Sequence, residues 1–174
     1  CIGRNYAEHA KELNNAVSAS PVVFLKPKSS LLQGTTFYYP EFTKDLHYEC
    51  EVVVKICKNG KHIKEKFAKN YNQQITVGID FTARDLQQQQ KEKGLPWEIA
   101  KAFDGSAVVG KFIDIPADVQ AINFSLHKNN LLVQEGHTKD MLFTIDQIIA
   151  YVSQYFSLHT GDLIFTGTPA GVGP

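Results

Sequence analysis

Six side chains in this sequence have the types and spacing that chemistry needs: Glu49 and Glu51, Asp80, the pair His9 and Glu12, and Lys101. The two glutamates fall in Leu46-His47-Tyr48-Glu49-Cys50-Glu51-Val52-Val53-Val54, whose alternation and β-branched run predict a strand. On a strand, Glu49 and Glu51 project from one side with His47 before them, and Tyr48, Cys50 and Val52 take the other. Carboxylates spaced this way lie roughly 6.5 Å apart and repel by about 2.5 kcal/mol at an effective dielectric near 20. Water relieves that on an open face, where Glu-x-Glu is an ordinary solvated acidic edge. In a pocket, a cation has to do it. Asp80 closes a second strand-like run, Ile75 to Asp80, at an end where functional carboxylates are often displayed. His9 and Glu12 are three residues apart in a helix-forming stretch and share a face. A carboxylate there orients the imidazole and raises its basicity, as general-base chemistry requires, although the same spacing also describes a solvated surface pair. Lys101 stands between Trp97 and Phe103, an apolar setting that can hold an ammonium against a ligand.

The elements that must position these groups are mostly strands. Ala7 to Leu13 is helix-friendly and Asn14-Asn15 stops it; Pro21 to Leu25 reads as a short buried strand; Leu31 to Tyr39 is irregular or edge β. Leu86 to Lys93 reads as a polar helix ended by Gly94-Leu95-Pro96. Ile122–Leu126 and Leu131–Gln134 form a hairpin, and Thr144 caps a helix over Ile145–Phe156 whose apolar stripe is core. After the strand Leu163-Ile164-Phe165 comes Thr166-Gly167-Thr168-Pro169-Ala170-Gly171-Val172-Gly173. Its glycines can bring backbone N–H groups close to an anion, or make a tight loop between strands. No Gly-Lys-Ser/Thr follows, so it is not a Walker loop.

The whole chain narrows the function classes. Its 174 residues suit one domain with a sizeable core. Lys plus Arg and Asp plus Glu balance at 18 each with no basic block, which leaves no electrostatic footprint for nucleic acid. Apolar runs fall short of the roughly 20 residues that span a bilayer. Three cysteines without a Cys-x-x-Cys pair give neither a disulfide framework nor a zinc ribbon and fit a cytoplasmic location. The chain opens on Cys1 and stops in the loop at Pro174, so the expectation is one catalytic domain, 1–174, lacking N- and C-terminal segments of a longer chain.

Six blocks together resemble the fumarylacetoacetate hydrolase family. They are Gly3-Arg4-Asn5-Tyr6-x-x-His9-x-x-Glu12, Phe24-x-Lys26-Pro27, His47-Tyr48-Glu49-x-Glu51, Asp80-x-Thr82-x-Arg84-Asp85-x-Gln87, Trp97-x-x-x-Lys101-x-Phe103-Asp104, and the stretch from Gly161-Asp162 to Gly173. They run in order from the first residue to the last and look like the small acylpyruvase and oxaloacetate decarboxylase branch. The resemblance implies an α+β, mostly β fold, a mixed β-sandwich roll with short flanking helices, and a homodimer. It implies Mg²⁺ or Mn²⁺ on Glu49, Glu51 and Asp80, a hard-oxygen set that suits either ion. It further implies Lys101, His9 and Glu12 as catalytic groups, the last two on a segment that orders over substrate. Gln87, Thr168 and Arg4 are the implied substrate contacts. The activity so implied is metal-dependent cleavage of a carbon–carbon bond in an acylpyruvate or related β-diketo acid. Oxaloacetate decarboxylation or keto–enol tautomerisation, an isomerase or decarboxylase reaction of aromatic catabolism, and a non-catalytic metabolite binder are the alternatives.

Overall fold

The run Cys50-Glu51-Val52-Val53-Val54-Lys55-Ile56 is the spine of the molecule. Its side chains divide between two apolar clusters: Cys50, Val52, Val54 and Ile56 face one, Val53 the other. A strand buried on both faces reads as a near-continuous apolar run, and this one does. The computed structural model describes residues 1–12 and 18–174, so the Asn14–Asn15 helix stop lies outside the described residues. In chain order the described strands and α-helices are β1 (Ile2–Gly3), α1 (Ala7–Glu12), β2 (Val22–Val23), β3 (Leu46–His47), β4 (Cys50–Ile56), β5 (Asn72–Asp80), β6 (Thr82–Ala83), α2 (Arg84–Lys93), α3 (Glu98–Lys101), β7 (Ala107–Val109), β8 (Ile113–Asp114), β9 (Asn123–Lys128), β10 (Leu131–His137), α4 (Ile145–Tyr155) and β11 (Leu163–Phe165). Mostly-β architecture with short flanking helices is therefore what the chain adopts.

The main sheet runs β11-β4-β5-β7, with β8 also on β5, and its named pairs are antiparallel. Small two-stranded sheets, β1–β2, β3–β6 and β9–β10, surround it. Helix α4 lays Ile145, Ile148, Ile149 and Val152 on the β4 face that carries Val52, Val54 and Ile56. Each such side chain stabilises the fold by about 1.5–3 kcal/mol on burial. The helix begins as expected at Thr144, whose hydroxyl accepts from Gln147 N–H while Gln147 Oε1 accepts from Thr144 N–H, a reciprocal cap. Helix α2 starts two residues before the expected Leu86, at Arg84, and ends on Gly94, whose φ of 64° supplies the left-handed turn. The hairpin is also longer than read, its second strand reaching His137.

The predicted strand over Leu46–Val54 is two strands. At Tyr48 the chain changes partner: β3 pairs with β6, Tyr48 N–H donates to Gly173 O at 2.9 Å, and β4 then pairs with β5. The register Cys50↔Ile79 places Glu49 beside Asp80, and Asp80 N–H donates to Glu49 O at 2.9 Å. His47 is thereby separated from the two glutamates: its Nε2 lies 2.9 Å from Asp45 Oδ1, and its Nδ1 accepts from Arg84 Nε at 3.4 Å.

Candidate active site

The β4–β5 pair ends on carboxylates. Glu49, Glu51 and Asp80 are all buried, and one oxygen from each lies within 4.8 Å of the others. Three negative charges that close and that dry cannot stand without compensation. Lys101, on the last turn of α3 and itself 3% exposed, supplies part of it. Its Nζ donates to Glu49 Oε2 and Asp80 Oδ2, each at 2.8 Å, and to Thr82 Oγ1 at 2.6 Å. On the far side of Asp80, Lys26 Nζ lies 2.8 Å from Oδ1 and also donates to Ser106 Oγ and to Lys101 O. Arg84 Nη2 donates to Glu49 Oε1 at 2.5 Å, and its Nη1 donates to Gln87 Oε1 at 2.6 Å.

Glu51 is treated differently. It forms no ion pair with Lys or Arg among the described residues; Gly167 N–H donates to its Oε2 at 2.7 Å. Burial, then the charges of Asp80 and Glu49, hold its carboxyl well above the usual range. Burial would also raise Glu49, but the Lys101 ammonium and the Arg84 guanidinium outweigh it and hold Glu49 well below that range. Lys101 shows the converse balance: burial alone would lower it, and the Asp80 and Glu49 charges lift it above its ordinary value. Lys26 is lowered by burial first, with Lys101 adding to it against Asp80.

The donor set of the triad is all carboxylate oxygen, the hard ligand type that Mg²⁺ and Mn²⁺ prefer over sulfur or imidazole. Lys101, Lys26 and Arg84 already answer the charges of Glu49 and Asp80, whereas Glu51 has no ion pair among the described residues and is short of positive charge. On both counts the residues fit a hard divalent cation.

Above the triad, His9 Nδ1 lies 3.1 Å from Glu12 Oε2, and Glu12 Oε1 accepts from Gly171 N–H at 3.0 Å. A carboxylate only accepts, so the imidazole proton belongs on Nδ1 and Nε2 keeps its lone pair. Burial lowers His9 below the ordinary histidine value, against the pull of Glu49 and Glu12. Arg4 enters the same wall through a left-handed backbone, φ 60°, which costs a non-glycine residue about 1–2 kcal/mol. Its guanidinium covers the Trp97 ring at 5.7 Å from the centroid. Thr168 is buried with its hydroxyl engaged, donating to Cys50 O at 2.8 Å and accepting from Gln134 Nε2 at 2.9 Å.

Of the residues singled out by sequence, Arg4, His9, Gln87, Lys101 and Thr168 line one small cavity together with Glu49 and Glu51. Asp80 lies beneath it through Lys101, and Glu12 stands behind His9. The cavity is only ≈ 30 Å³, because Lys101, Arg84 and their partners fill it.

Three groups were missed as site residues although they sit in the matched blocks: Lys26, Arg84 and Asn5. A lysine before a proline reads as an exposed turn, and nothing local tells that Lys26 reaches Asp80. Asn5 is wholly buried, its Nδ2 donating to Thr166 O and Phe143 O and its Oδ1 accepting from Phe143 N–H. It ties the first block to the last.

Buried charged side chains gathered around a small cavity are typical of enzymes that act on small molecules, and the family match places the protein in the enzyme class. Residues 1–174 match the family model described as fumarylacetoacetate (FAA) hydrolase C-terminal, and the chain belongs to the fumarylacetoacetate hydrolase family. It is 44% identical over 178 residues to the "oxaloacetate tautomerase FAHD1, mitochondrial" of Mus musculus, covering 100% of this chain and 80% of that one. It is 41% identical over 177 residues to the "oxaloacetate decarboxylase, mitochondrial" of Dictyostelium discoideum, covering 99% and 81%. The crystal structure of fumarylpyruvate hydrolase from Pseudomonas aeruginosa in complex with Mn²⁺ and pyruvate superposes with a TM-score of 0.90 at 37% identity, over 99% of this chain and 78% of that one. These findings also correct one expectation. The cysteine usage was read as cytoplasmic, yet the curated relatives are named mitochondrial. Unpaired cysteines without a Cys-x-x-Cys pair do not tell one reducing compartment from another, so they carry no location.

Proposed function

We propose that residues 1–174 act as one catalytic domain, with a divalent ion, Mg²⁺ or Mn²⁺, on Glu49, Glu51 and Asp80. The substrate is a small 2-oxo acid with a second carbonyl or carboxylate at the β position. The observation that carries this is the buried carboxylate triad with an ammonium already between two of its members. The Pseudomonas aeruginosa fumarylpyruvate hydrolase, solved in complex with Mn²⁺ and pyruvate, supports the same chemistry. When bound, such an ion supplies Lewis acidity toward the oxygens of a 2-oxo carboxylate. The remaining work belongs to the chain. Lys101, kept charged by Asp80 and Glu49, stabilises negative charge on the substrate's carbonyl oxygen or returns a proton to it. Arg84 holds Glu49 in place and orients Gln87 toward the cavity.

Two reactions share these groups. For hydrolysis of an acylpyruvate, His9 Nε2, its ring held by Glu12, would take the proton of a water that attacks the distal carbonyl. The bond from that carbon to the pyruvoyl methylene then breaks and its electron pair leaves as pyruvate enolate; protonation of the methylene carbon gives pyruvate and the carboxylic acid. The neutral, oriented imidazole favours this reading. Decarboxylation or tautomerisation of oxaloacetate needs no attacking water, and relatives 41–44% identical over the whole chain that bear those names favour it. Those names also support a mitochondrial location, and the family resemblance supports a homodimer. A spectrophotometric screen with Mg²⁺, using acetylpyruvate and oxaloacetate, separates an enzyme from a silent binder. Turnover of at least one substrate that chelator abolishes is expected; a flat trace for both, with metal bound, contradicts the proposal.

A further inference from the structure

We infer that Arg4 reads a second carboxylate on the substrate, so that the site takes dianionic 2-oxo acids in preference to those ending in a neutral group. The inference rests on the metal-site reading above, which places the 2-oxo carboxylate end of the substrate at the triad. Three cationic side chains, Arg4, Arg84 and Lys91, line the cavity together with the triad glutamates. Lys91 is lowered by burial and then by the charges of Arg4 and Arg84. Arg84 is already committed to Glu49 and Gln87. Arg4 is not: among the described residues its guanidinium rests on the face of Trp97, and no carboxylate lies within ion-pair distance of it.

The backbone is built to hold that guanidinium where it is. Trp97 packs close against the chain at Gly3, where a Cβ would meet its ring at 3.4 Å, and the next residue carries the left-handed φ of 60°. A non-glycine residue in that region is a strained position maintained by its surroundings, and such positions cluster at ligand clamps. Arginine's planar fork pairs with a carboxylate through two parallel hydrogen bonds while its face stays on an aromatic ring. A monoanion leaves the Arg4 guanidinium without a carboxylate partner among the described residues; a dianion supplies one. Pre-placing the guanidinium on Trp97 also lowers the ordering cost of binding.

The test uses Arg4→Gln and Arg4→Lys in the full chain with Mg²⁺. In the kinetic arm, kcat/KM is measured for oxaloacetate, a dianion, and for acetylpyruvate, whose far end is an acetyl group. Arg4→Gln is expected to cost oxaloacetate about 10- to 100-fold more than it costs acetylpyruvate, chiefly in KM, the range of one charge-assisted hydrogen bond. Arg4→Lys, which keeps the charge, restores part of it. Equal losses on both substrates overturn the inference. In the binding arm, 2-oxoglutarate is compared with 2-oxopentanoate, the same carbon skeleton with a methyl group in place of the distal carboxylate. Binding is followed by the emission of Trp97, the only tryptophan in the chain, whose ring Arg4 covers. The dianion is expected to bind about 10-fold or more tighter to the wild type, and that preference should fall below about 3-fold in Arg4→Gln. No preference in the wild type, or one that persists in the variant, also overturns it. Failure of the metal reading is seen separately, as emission changes that do not depend on Mg²⁺, and wild-type inactivity on both substrates counts against the proposed reaction while the binding ratio still decides the role of Arg4.

Discussion

His9 and Lys101 are buried nitrogens held in opposite states. Burial keeps His9 below its ordinary value and so neutral, whereas Asp80 and Glu49 keep Lys101 above its own and so charged. A neutral imidazole is available as a base, and an ammonium held charged is a fixed electrostatic stabiliser in the same site. In the proposed hydrolysis only His9 faces a nucleophile's proton, so His9→Ala should cost acetylpyruvate hydrolysis about 10²–10⁴-fold and oxaloacetate decarboxylation distinctly less. Glu12→Gln should act in the same sense more mildly. Steady-state kcat on both substrates checks this, and equal losses would reassign His9 to substrate binding. The pH dependence has a fixed sign. A general base works when deprotonated, so the acid limb of hydrolysis lies below about 6.5, the unperturbed histidine value. Glu12 raises His9, through its hydrogen bond and its charge, so removing that charge moves the limb lower still. A kcat–pH profile in which Glu12→Gln shifts the limb upward would contradict the arrangement.

At the scale of elements, the glycine loop after β11 was read as able to hold an anion, and the anions it meets are the protein's own. Gly167 N–H donates to Glu51 and Gly171 N–H to Glu12, so one loop steadies both the triad and the His–Glu pair. At Gly167, with φ 103°, an added Cβ would fall 2.6 Å from Asn5 Cβ, and Asn5 is locked by three hydrogen bonds. Gly167→Ala should therefore destabilise by about 2–4 kcal/mol, backbone strain plus overpacking. Gly94→Ala, with a left-handed φ but open space around it, should cost only about 1 kcal/mol. Urea unfolding midpoints compare the two, and equal shifts would remove Asn5 from the account. The contrast also marks what a sequence can carry. Period-two alternation makes Glu49 and Glu51 neighbours on one face, and Thr144 and Gly94 announce helix ends, because those signals are local. The break at Tyr48 is not legible, since the apolar alternation runs straight through it while the pairing partner changes from β6 to β5. Nor is the approach of Asp80 to Glu49, which depends on the β4–β5 register, or of Lys26, which arrives from a turn.

Across the whole molecule, the site is assembled from both ends of the chain and its middle: the Asn5–Thr166 bond spans 161 residues, Gly167–Glu51 116 and Lys101–Glu49 52. The site therefore exists only in the folded chain, and so does the charge imbalance left at Glu51. The six matched blocks carried the family assignment because each supplies one wall of this junction, whereas cysteine content, which shaped no wall, misdirected the location. Everything proposed for the reaction rests on a divalent ion at the triad. Titrating Mn²⁺ into the full chain and following the free ion by electron paramagnetic resonance tests it, with Glu51→Gln and Asp80→Asn in parallel. About one ion bound per chain in the wild type, and affinity lowered about 10-fold or more in both variants that still unfold cooperatively, is the predicted result, since each change removes a charged ligand. Wild-type affinity retained by either variant, or no binding by the wild type at millimolar Mn²⁺, would contradict it.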